Sequence, residues 1–585
     1  MRNAKIVCTL GPASNDRDTI RELAEAGMSV ARLNASHGSR EDRAALIDRV
    51  RAVDEARTEP VAVMLDMQGP EIRTAPLPEG ETVTLETGTE IRFVEGETAT
   101  PETVGLSLSI DAVEPGDRIL LDDGLIETTV LENEGEGIRA RVDTGGDLGG
   151  RKGVNVPGVE LDLDVVTESD RQDLELAAAK EVDFVAASFV RDADDVYEVD
   201  EVLEAAGVDI PVIAKIERAG AVDNLDEIID AAYGVMVARG DLGVECPMED
   251  VPMIQKRIVR KCREAGRPVI TATEMLDSMV TARRPTRAEA SDVANAVLDG
   301  TDAVMLSAET AIGDHPVAVV DAMDSIVREV EGSEEHAELL EQRVPAAGEA
   351  RTDALARSAR FLARDIDADA VVAATESGYT ALKTAKYRPG VPVVASTPSQ
   401  SVRRQLALTW GVTPLYANVS GQGAGAVVEK AVQAALNAGV AESGDTVVVL
   451  CGMMTELEGA NTTNMLKVHV AADALTTGQV VVEGRATGPV VHATDGDLSG
   501  VPEGAILALP VDFDAEFSSE TDRIGGIVNA ERGMTGYPAM IARELGVPMI
   551  SDADVGSLSG GETVTVDAER GVVYGGDIGD SPQRP

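Results

Sequence analysis

DIPVIAKIERAGAVDNLDEIIDAAYGVMVARGD (Asp209–Asp241) holds the reading on which the fold turns. Inside it, Val212–Ile216 and Gly234–Ala238 are short, nearly unbroken apolar runs that give way to charge, at Lys215 and Glu217 in the first case and Asp241 in the second. Working outward, six more runs share this form: Ile6–Leu10, Val30–Asn34, Val61–Asp66, Phe184–Phe189, Pro268–Ala272 and Ala303–Ser307. Each has strand length and is rich in Val, Ile, Leu, Met and Ala, as a strand buried on both faces of a parallel sheet must be. Helical patterns at Asp18–Gly27, Arg40–Arg57, Glu168–Lys180, Met253–Ala265 and Thr286–Asp299 separate most of them. Eight such units predict an α/β chain folded as a (β/α)8 barrel, whose chemistry sits at the carboxyl ends of the strands. Those ends carry Arg32, Asn34, Ser36, Asp66, Lys215, Glu217, Asp241, Thr273 and Ser307. So many polar groups converging on one face argue for an enzyme.

Composition bounds the rest. A chain of 585 residues with 44% hydrophobic content predicts three or four domains, each able to bury a core. Asp and Glu total 103 against 51 Lys and Arg, a formal charge of −52 spread along the chain rather than gathered in a tail. Such a charge repels itself in dilute buffer, but at molar salt a Debye length of about 3 Å removes most of the penalty. The pattern reads as a halophilic surface, pointing to a halophilic archaeal source, and it argues against nucleic acid, which needs a basic patch. Cys8, Cys246, Cys262 and Cys451 show no CxxC spacing, so neither a metal site nor a disulfide framework is expected. No signal peptide or long apolar run is present, which predicts a cytoplasmic protein without a membrane span.

Three segments depart from the barrel pattern. Residues 70–156, between the third and fourth runs, show short alternating strands at Thr82–Leu85, Ile91–Val94, Arg118–Leu121, Ile126–Leu131 and Ile138–Val142, punctuated by Gly and Pro. They predict a small all-β insertion, leaving 1–69 and 157–345 for the barrel. Residues 346–475 read as an open α/β domain, with a helix at Ala354–Ile366 and strands at Ala370–Ala374, Val391–Ala395, Thr413–Tyr416, Thr446–Leu450 and Leu466–Val470. Residues 476–585 form a further unit rich in Gly and Val.

The polar strand ends lie in segments that resemble one known family. CTLGPAS (Cys8–Ser14), ARLNASHG (Ala31–Gly38), LDMQGPEIRT (Leu65–Thr74), KGVNVPG (Lys152–Gly158), AKIE (Ala214–Glu217), ARGDLGVE (Ala238–Glu245), TATEML (Thr271–Leu276), PTRAEASDVANAVLDGTD (Pro285–Asp302) and MLSAET (Met305–Thr310) resemble the pyruvate kinase family, in order and at its spacings. The resemblance covers roughly residues 1–475. It implies transfer of the phosphoryl group of phosphoenolpyruvate to ADP, giving pyruvate and ATP. It also implies a homotetramer, makes the β insertion a lid that swings over the barrel mouth, and gives the α/β domain an effector-binding position. MTGYPAMIARELGVPMISDA (Met534–Ala553) with GETVTVDAERGVVY (Gly561–Tyr574) resembles instead the swivelling phosphohistidine domain of phosphoenolpyruvate-utilising enzymes, with Tyr537 where the histidine belongs. A phenol does not carry a phosphoryl group reversibly, so this domain is expected to be silent.

The residues bear the same chemistry. Phosphoryl transfer between anions relies on positioning and on cations that neutralise developing charge. Glu217 and Asp241, two carboxylates facing one cleft, suit a hard divalent ion that keeps some waters; the resemblance assigns them to Mg2+ or Mn2+, while Asp241 alone also reads as a helix cap. Lys215 reads either as a partner of Glu217 or Asp66, or as the point charge on the transferring phosphoryl group, with Arg32 as second cation. Backbone N–H groups at Gly240 and Asp241 open a helix and suit the substrate carboxylate. Thr273 suits that carboxylate and protonation of the enolate carbon; Ser307, with Glu309, reads as a proton relay or simply as a cap. The resemblance places K+ among Asn34, Ser36, Asp66 and the carbonyl of Met67, and makes Glu71 the acidic variant that accompanies K+ dependence. It puts the nucleotide at Thr9, Pro12, His37, Arg73 and Lys152, with Asp123 and Lys152 reaching in from the lid; His37 alone reads as a loop residue. In the α/β domain, the loop Glu376–Ala381 suits a phosphate, but Glu376 and the acidic loop Thr455–Asn461 weigh against a sugar bisphosphate, leaving AMP, a sugar monophosphate or no effector open. Two other readings are a phosphoenolpyruvate synthase or dikinase-type phosphotransferase, which needs the missing histidine, and a binding-only paralogue, which predicts loss of Lys215, Glu217, Asp241 or Thr273.

Overall fold

The protein is described by a computed structural model covering residues 2–78, 80–159, 161, 163–418, 423–452, 463–472, 474–517 and 520–578. Eight parallel strands close a barrel in the order expected: Lys5–Thr9, Val30–Asn34, Ala62–Asp66, Phe184–Ala187, Val212–Ile216, Gly234–Ala238, Val269–Ala272 and Ala303–Leu306. Closure comes from the last strand pairing with the first in the register Lys5↔Ala303 to Cys8↔Leu306. The strands are apolar on both faces because one face packs the barrel interior (Val7, Met64, Phe184, Met236, Ile270) and the other the helix ring (Cys8, Leu65, Val185, Val237, Leu306).

The helices start where short polar side chains cap them. Ser39, Thr167 and Thr286 each accept the third amide of the following helix, and the residue at that third position returns a carboxylate. Each such box satisfies two otherwise orphaned amides. Gly300, at φ +100, ends the helix Arg287–Asp299 in a left-handed turn that a β-carbon would strain.

The expected β insertion is built as a six-stranded sheet, with Arg118–Leu121, Ile126–Asn133, Ile138–Thr144 and Glu90–Glu95 at its centre, beside a two-stranded pair of Thr82–Leu85 with Gly146–Gly149. It has its own core around Phe93, Ile119, Val130 and Val142. The α/β domain is a five-stranded sheet ordered Val412–Tyr416, Val393–Thr397, Ala370–Ala374, Thr446–Cys451, Met465–Val470, with only the last strand antiparallel. The C-terminal unit is a mixed eight-stranded sheet with the helix Tyr537–Leu545, and Ile578 and Tyr574 pack on Val470 of the preceding domain. Among the described residues no helix is long and apolar enough to cross a membrane.

A buried carboxylate joins barrel to α/β domain. Asp183, 1% exposed, accepts from Arg51 (2.7 Å) and the Val63 amide (2.7 Å) inside the barrel, and from Arg404 (2.7 Å) of the α/β domain. Removing one partner of such a pair leaves uncompensated charge, at about 3–5 kcal/mol. Asp183→Ala is therefore expected to lower the unfolding free energy in a urea titration at fixed KCl by that amount; an unchanged free energy would show that the junction does not depend on this carboxylate.

Candidate functional site

The mouth of the barrel is organised around Asp66, which ends the third strand with no exposed surface. One carboxylate oxygen accepts from Arg32 Nε at 2.6 Å, and the other faces Lys215 Nζ at 3.2 Å. Lys215 also lies 2.8 Å from Glu217 Oε1 and donates to Ser188 Oγ at 2.6 Å. Arg32 donates from Nη1 to Thr9 Oγ1 (2.9 Å), whose hydroxyl in turn donates to the Leu306 carbonyl. Burial works against charge on both Asp66 and Lys215, but the opposite charges win. Arg32 and Lys215 hold the Asp66 carboxyl below its ordinary range, and Asp66 with Glu217 raises the Lys215 ammonium above its own. A permanently charged ammonium thus stands at the barrel mouth.

Glu217, buried just past the fifth strand, stands close enough to act on Asp241, which lies in the first turn of the helix Arg239–Glu245 and lines the cleft. The second oxygen of Glu217 accepts the Phe189 amide at 2.6 Å. Burial, then Glu217, pushes the Asp241 carboxyl up to about 7, with Asp123 and Glu71 adding to the push and Lys215 opposing it. Glu71, Asp123 and Asp241 line one cleft between barrel and insertion, together with Phe189 and Arg218. A carboxyl pushed up by carboxylate neighbours is one that a cation relieves. Among the described residues no group of three or more His, Cys, Asp or Glu stands ready to enclose a metal. Two protein carboxylates with substrate oxygens and water completing the shell fit a hard divalent ion, which favours such partial cages.

Thr273 is held in a left-handed conformation, φ +77, and Glu274 follows it at φ +53. For a β-branched residue this is a strained backbone that its surroundings must impose. Arg239 imposes it: Nε donates to the Ala272 carbonyl (3.0 Å) and Nη2 to the Thr273 carbonyl (2.9 Å), while Asp292 fixes the guanidinium at 2.6 Å. From the other side, the buried Glu309 accepts the amides of Leu276 (3.1 Å) and Ser307 (2.6 Å). Its carboxylate oxygens are thus spoken for, so Glu309 positions the turn. Phe189, at φ +59, is a second strained residue, and it is tied down by Glu217.

The other expected residues fall as follows. Asn34 Oδ1 accepts the Ser36 amide (3.1 Å) next to Asp66, and the Met67 carbonyl accepts from Ser188 Oγ (2.7 Å). These are oxygens of the type K+ takes, gathered beside one carboxylate. Pro12 and His37 are exposed on the rim. Across the cleft, Arg73 is bridged to Gly153 and donates to Glu71 (2.9 Å), and Lys152 pairs with Asp122 at 2.9 Å. In the α/β domain, Glu376–Ala381 leads into the helix Tyr379–Lys386 through Gly378 at φ +83; Thr455–Asn461 lies outside the described residues. Tyr537 opens its helix, where its hydroxyl accepts the Phe517 amide at 3.0 Å and its ring packs on Phe517. Sequence reasoning passed over Ser188 and Arg239. Ser188 lies inside the apolar run Phe184–Phe189, and Arg239 precedes the Gly240–Asp241 turn with no local signal of its partners.

Comparison with known proteins agrees with this geometry. Residues 1–320 match the family model "Pyruvate kinase, barrel domain", residues 353–469 match "Pyruvate kinase, alpha/beta domain", and residues 501–571 match "PEP-utilising enzyme, mobile domain". The chain is 43% identical to a pyruvate kinase of Geobacillus stearothermophilus and 41% identical to one of Bacillus licheniformis, in each case over 98% of this chain and 99% of the relative. A pyruvate kinase of Staphylococcus aureus is 40% identical over the same shares. These relatives are bacterial, so they lend no support to the archaeal source inferred from the charge.

Gly240 is the residue that lets the strained turn approach. A β-carbon there would stand 2.8 Å from Thr273 Cγ2. Gly240→Ala is expected to leave the chain folded and to lower kcat about ten- to a hundredfold by displacing Thr273. Steady-state turnover with an unchanged melting midpoint would show this; normal turnover would free Thr273 from any catalytic placement.

Proposed function

This chain belongs to the pyruvate kinase family and transfers the phosphoryl group of phosphoenolpyruvate to ADP, giving pyruvate and ATP; from that premise we propose that Lys215, Arg32 and Thr273 carry the step at the barrel mouth. The observation that carries the assignment is the Lys215 ammonium, bound within one opening by Asp66, Glu217 and Ser188. Arg32 and Lys215 form a cationic pair spaced by Asp66, suited to the oxygens of a phosphoryl group in flight and to the enolate left behind. The amides of Gly240 and Asp241, at a helix start, hold the substrate carboxylate. Thr273 presents its hydroxyl toward the enolate carbon on the turn that Arg239 and Glu309 fix, and Ser307 belongs to the same proton path.

The family requires a divalent metal, which we read as Mg2+ (or Mn2+), held by Glu217 and Asp241; when bound it supplies charge neutralisation across the substrate oxygens. Asn34, Ser36, Asp66 and the Met67 carbonyl form the K+ site of this reading. Thr9, Pro12, His37, Arg73 and Lys152 face the nucleotide, with Lys152 and Asp123 brought in by the insertion acting as a lid that keeps water from the phosphoryl group. The barrel then comprises residues 1–69 and 157–345, the lid 70–156, the effector-type domain 346–475 and the mobile-type domain 476–585. The last is silent, because Tyr537 stands where the histidine belongs and a phenol does not carry a phosphoryl group reversibly; its hydroxyl accepts the Phe517 amide. We place the enzyme in the cytoplasm as a homotetramer, in keeping with its free, largely buried cysteines.

Lys215→Met is expected to reduce pyruvate formation at least a thousandfold, roughly the weight of one transition-state charge, with divalent-ion and phosphoenolpyruvate binding retained by calorimetry. Near-normal turnover would sink its role. A second check is pyruvate release from phosphoenolpyruvate, ADP and Mg2+ in molar KCl against NaCl. Collapse in NaCl is expected, and equal rates would discard the Asn34–Ser36–Asp66 site.

A further inference from the structure

Under the barrel floor, at the end away from the catalytic mouth, a small cavity lies between the turns that precede the last two barrel strands and the α/β domain. Arg263, Arg267, Lys386 and Arg388 line it against a single carboxylate, Asp302. In a chain where acids outnumber bases 103 to 51, this is a concentration of cations. Lys386 is matched by Asp353 at 2.7 Å, and Asp302 meets Arg388 Nη2 at 3.1 Å. Among the described residues the guanidiniums of Arg263 and Arg267 have no carboxylate of their own there; they donate to the carbonyls of Arg343 and Asp230.

The decisive observation is what two of these groups lack. Arg388 is 4% exposed and Arg263 9%, yet Arg388 Nη1 and Arg263 Nε are buried with no hydrogen-bond partner among the described residues; six other arginines share an orphaned Nε, but Arg388 Nη1 is the one terminal guanidinium nitrogen so left. Both guanidiniums close on Gly300: Arg388 Nη2 donates to its carbonyl at 3.0 Å, and Arg263 Nη1 would stand 3.3 Å from a β-carbon placed there. Trp410 covers the Arg388 guanidinium, 4.4 Å from ring to Cζ, and shuts out solvent on that side. An unmade bond to a buried charged donor costs about 1–3 kcal/mol or more, and buried orphans in native proteins have an occupant or a reason. A water would take the hydrogen bonds but leave the excess positive charge. Burial, then Arg388 and Arg343, already pushes the Arg263 guanidinium down to about 10.

We propose that this cavity binds a single small inorganic anion, chloride, between Arg388 Nη1 and Arg263 Nε. The cavity has room for about one water-sized body, which excludes a phosphorylated metabolite. The ion completes the junction of barrel floor and α/β domain, so chloride acts as a structural ligand of the fold, separate from any cation at the mouth.

The test uses the full chain. Crystals soaked in KBr are expected to show an anomalous peak within hydrogen-bond distance of both nitrogens. Water-like density there, with bromide only elsewhere, overturns the site. In solution, the melting midpoint is expected to be several degrees higher in KCl than in potassium gluconate at equal K+, and Arg263→Gln should lose most of that difference while keeping normal turnover. A chloride effect of equal size in both proteins marks a general salt effect, makes any bromide peak an adventitious ion only, and likewise overturns the proposal. Because Arg388→Gln strips Asp302 of its partner and endangers folding, Arg263→Gln is the variant to use.

Discussion

Asp66 is the constraint on which the mouth of this barrel depends. It has no exposed surface, and each of its oxygens faces a different cation, Arg32 at 2.6 Å and Lys215 at 3.2 Å. Buried ion pairs of this kind contribute little net stability, since desolvation offsets most of the attraction. What they give is geometry. Two cations that would repel each other are held a fixed distance apart on the second and fifth barrel strands, and Glu217 and Ser188 fix the remaining directions of the ammonium. A charged site assembled before substrate arrives needs no reorganisation at the moment of reaction, which is where electrostatic catalysis draws its strength.

The same site stores backbone strain. Thr273 and Phe189 both lie at positive φ, where side chains of their kind are rarely found. In each case a charged residue holds the turn by its backbone: Arg239 grips the Ala272 and Thr273 carbonyls, and Glu217 takes the Phe189 amide. Glu309 closes the arrangement from the eighth strand by taking two amides at once. Glu217 therefore has two duties, pairing with Lys215 through one oxygen and holding a turn with the other. Its loss would disturb both at once.

Beneath the mouth, the barrel and the α/β domain are joined by buried charge beside an apolar contact in which Ala407, Leu408 and Trp410 pack into the barrel core. Asp183 receives Arg404, Asp302 receives Arg388, and Lys5 donates to the Val412 carbonyl at 2.8 Å. Such a junction is specific in direction and register, but every one of its groups must be matched. Arg388 Nη1 stands out for that reason, as the one terminal guanidinium nitrogen buried without a partner among the described residues. A formal charge of −52 sets the opposite condition outside, where added salt screens repulsion between domains without reaching the buried pairs.

Much of this was legible in the chain itself. Eight apolar runs determined eight strands, because a strand covered on both faces admits few polar residues; only the ends shifted, as where Phe184–Phe189 stops at Ala187. The residues Arg32, Asp66, Lys215, Glu217, Asp241 and Thr273 stood out because charge or hydroxyl at the carboxyl end of a buried strand has little to do in a core. The roles of Ser188, Arg239 and Glu309 were decided only in three dimensions. Their partners lie 27, 33 and 33 residues away, at Lys215, Ala272 and Leu276, and no local pattern announces a hydrogen bond across strands. The floor cavity is the extreme case. Arg263, Asp302 and Arg388 are ordinary residues in three separate segments, and only the packing of one domain under another turns them into a buried cationic pocket. Local physics set the strands and marked the reactive ends; long-range packing decided which charges meet and which are left without a partner.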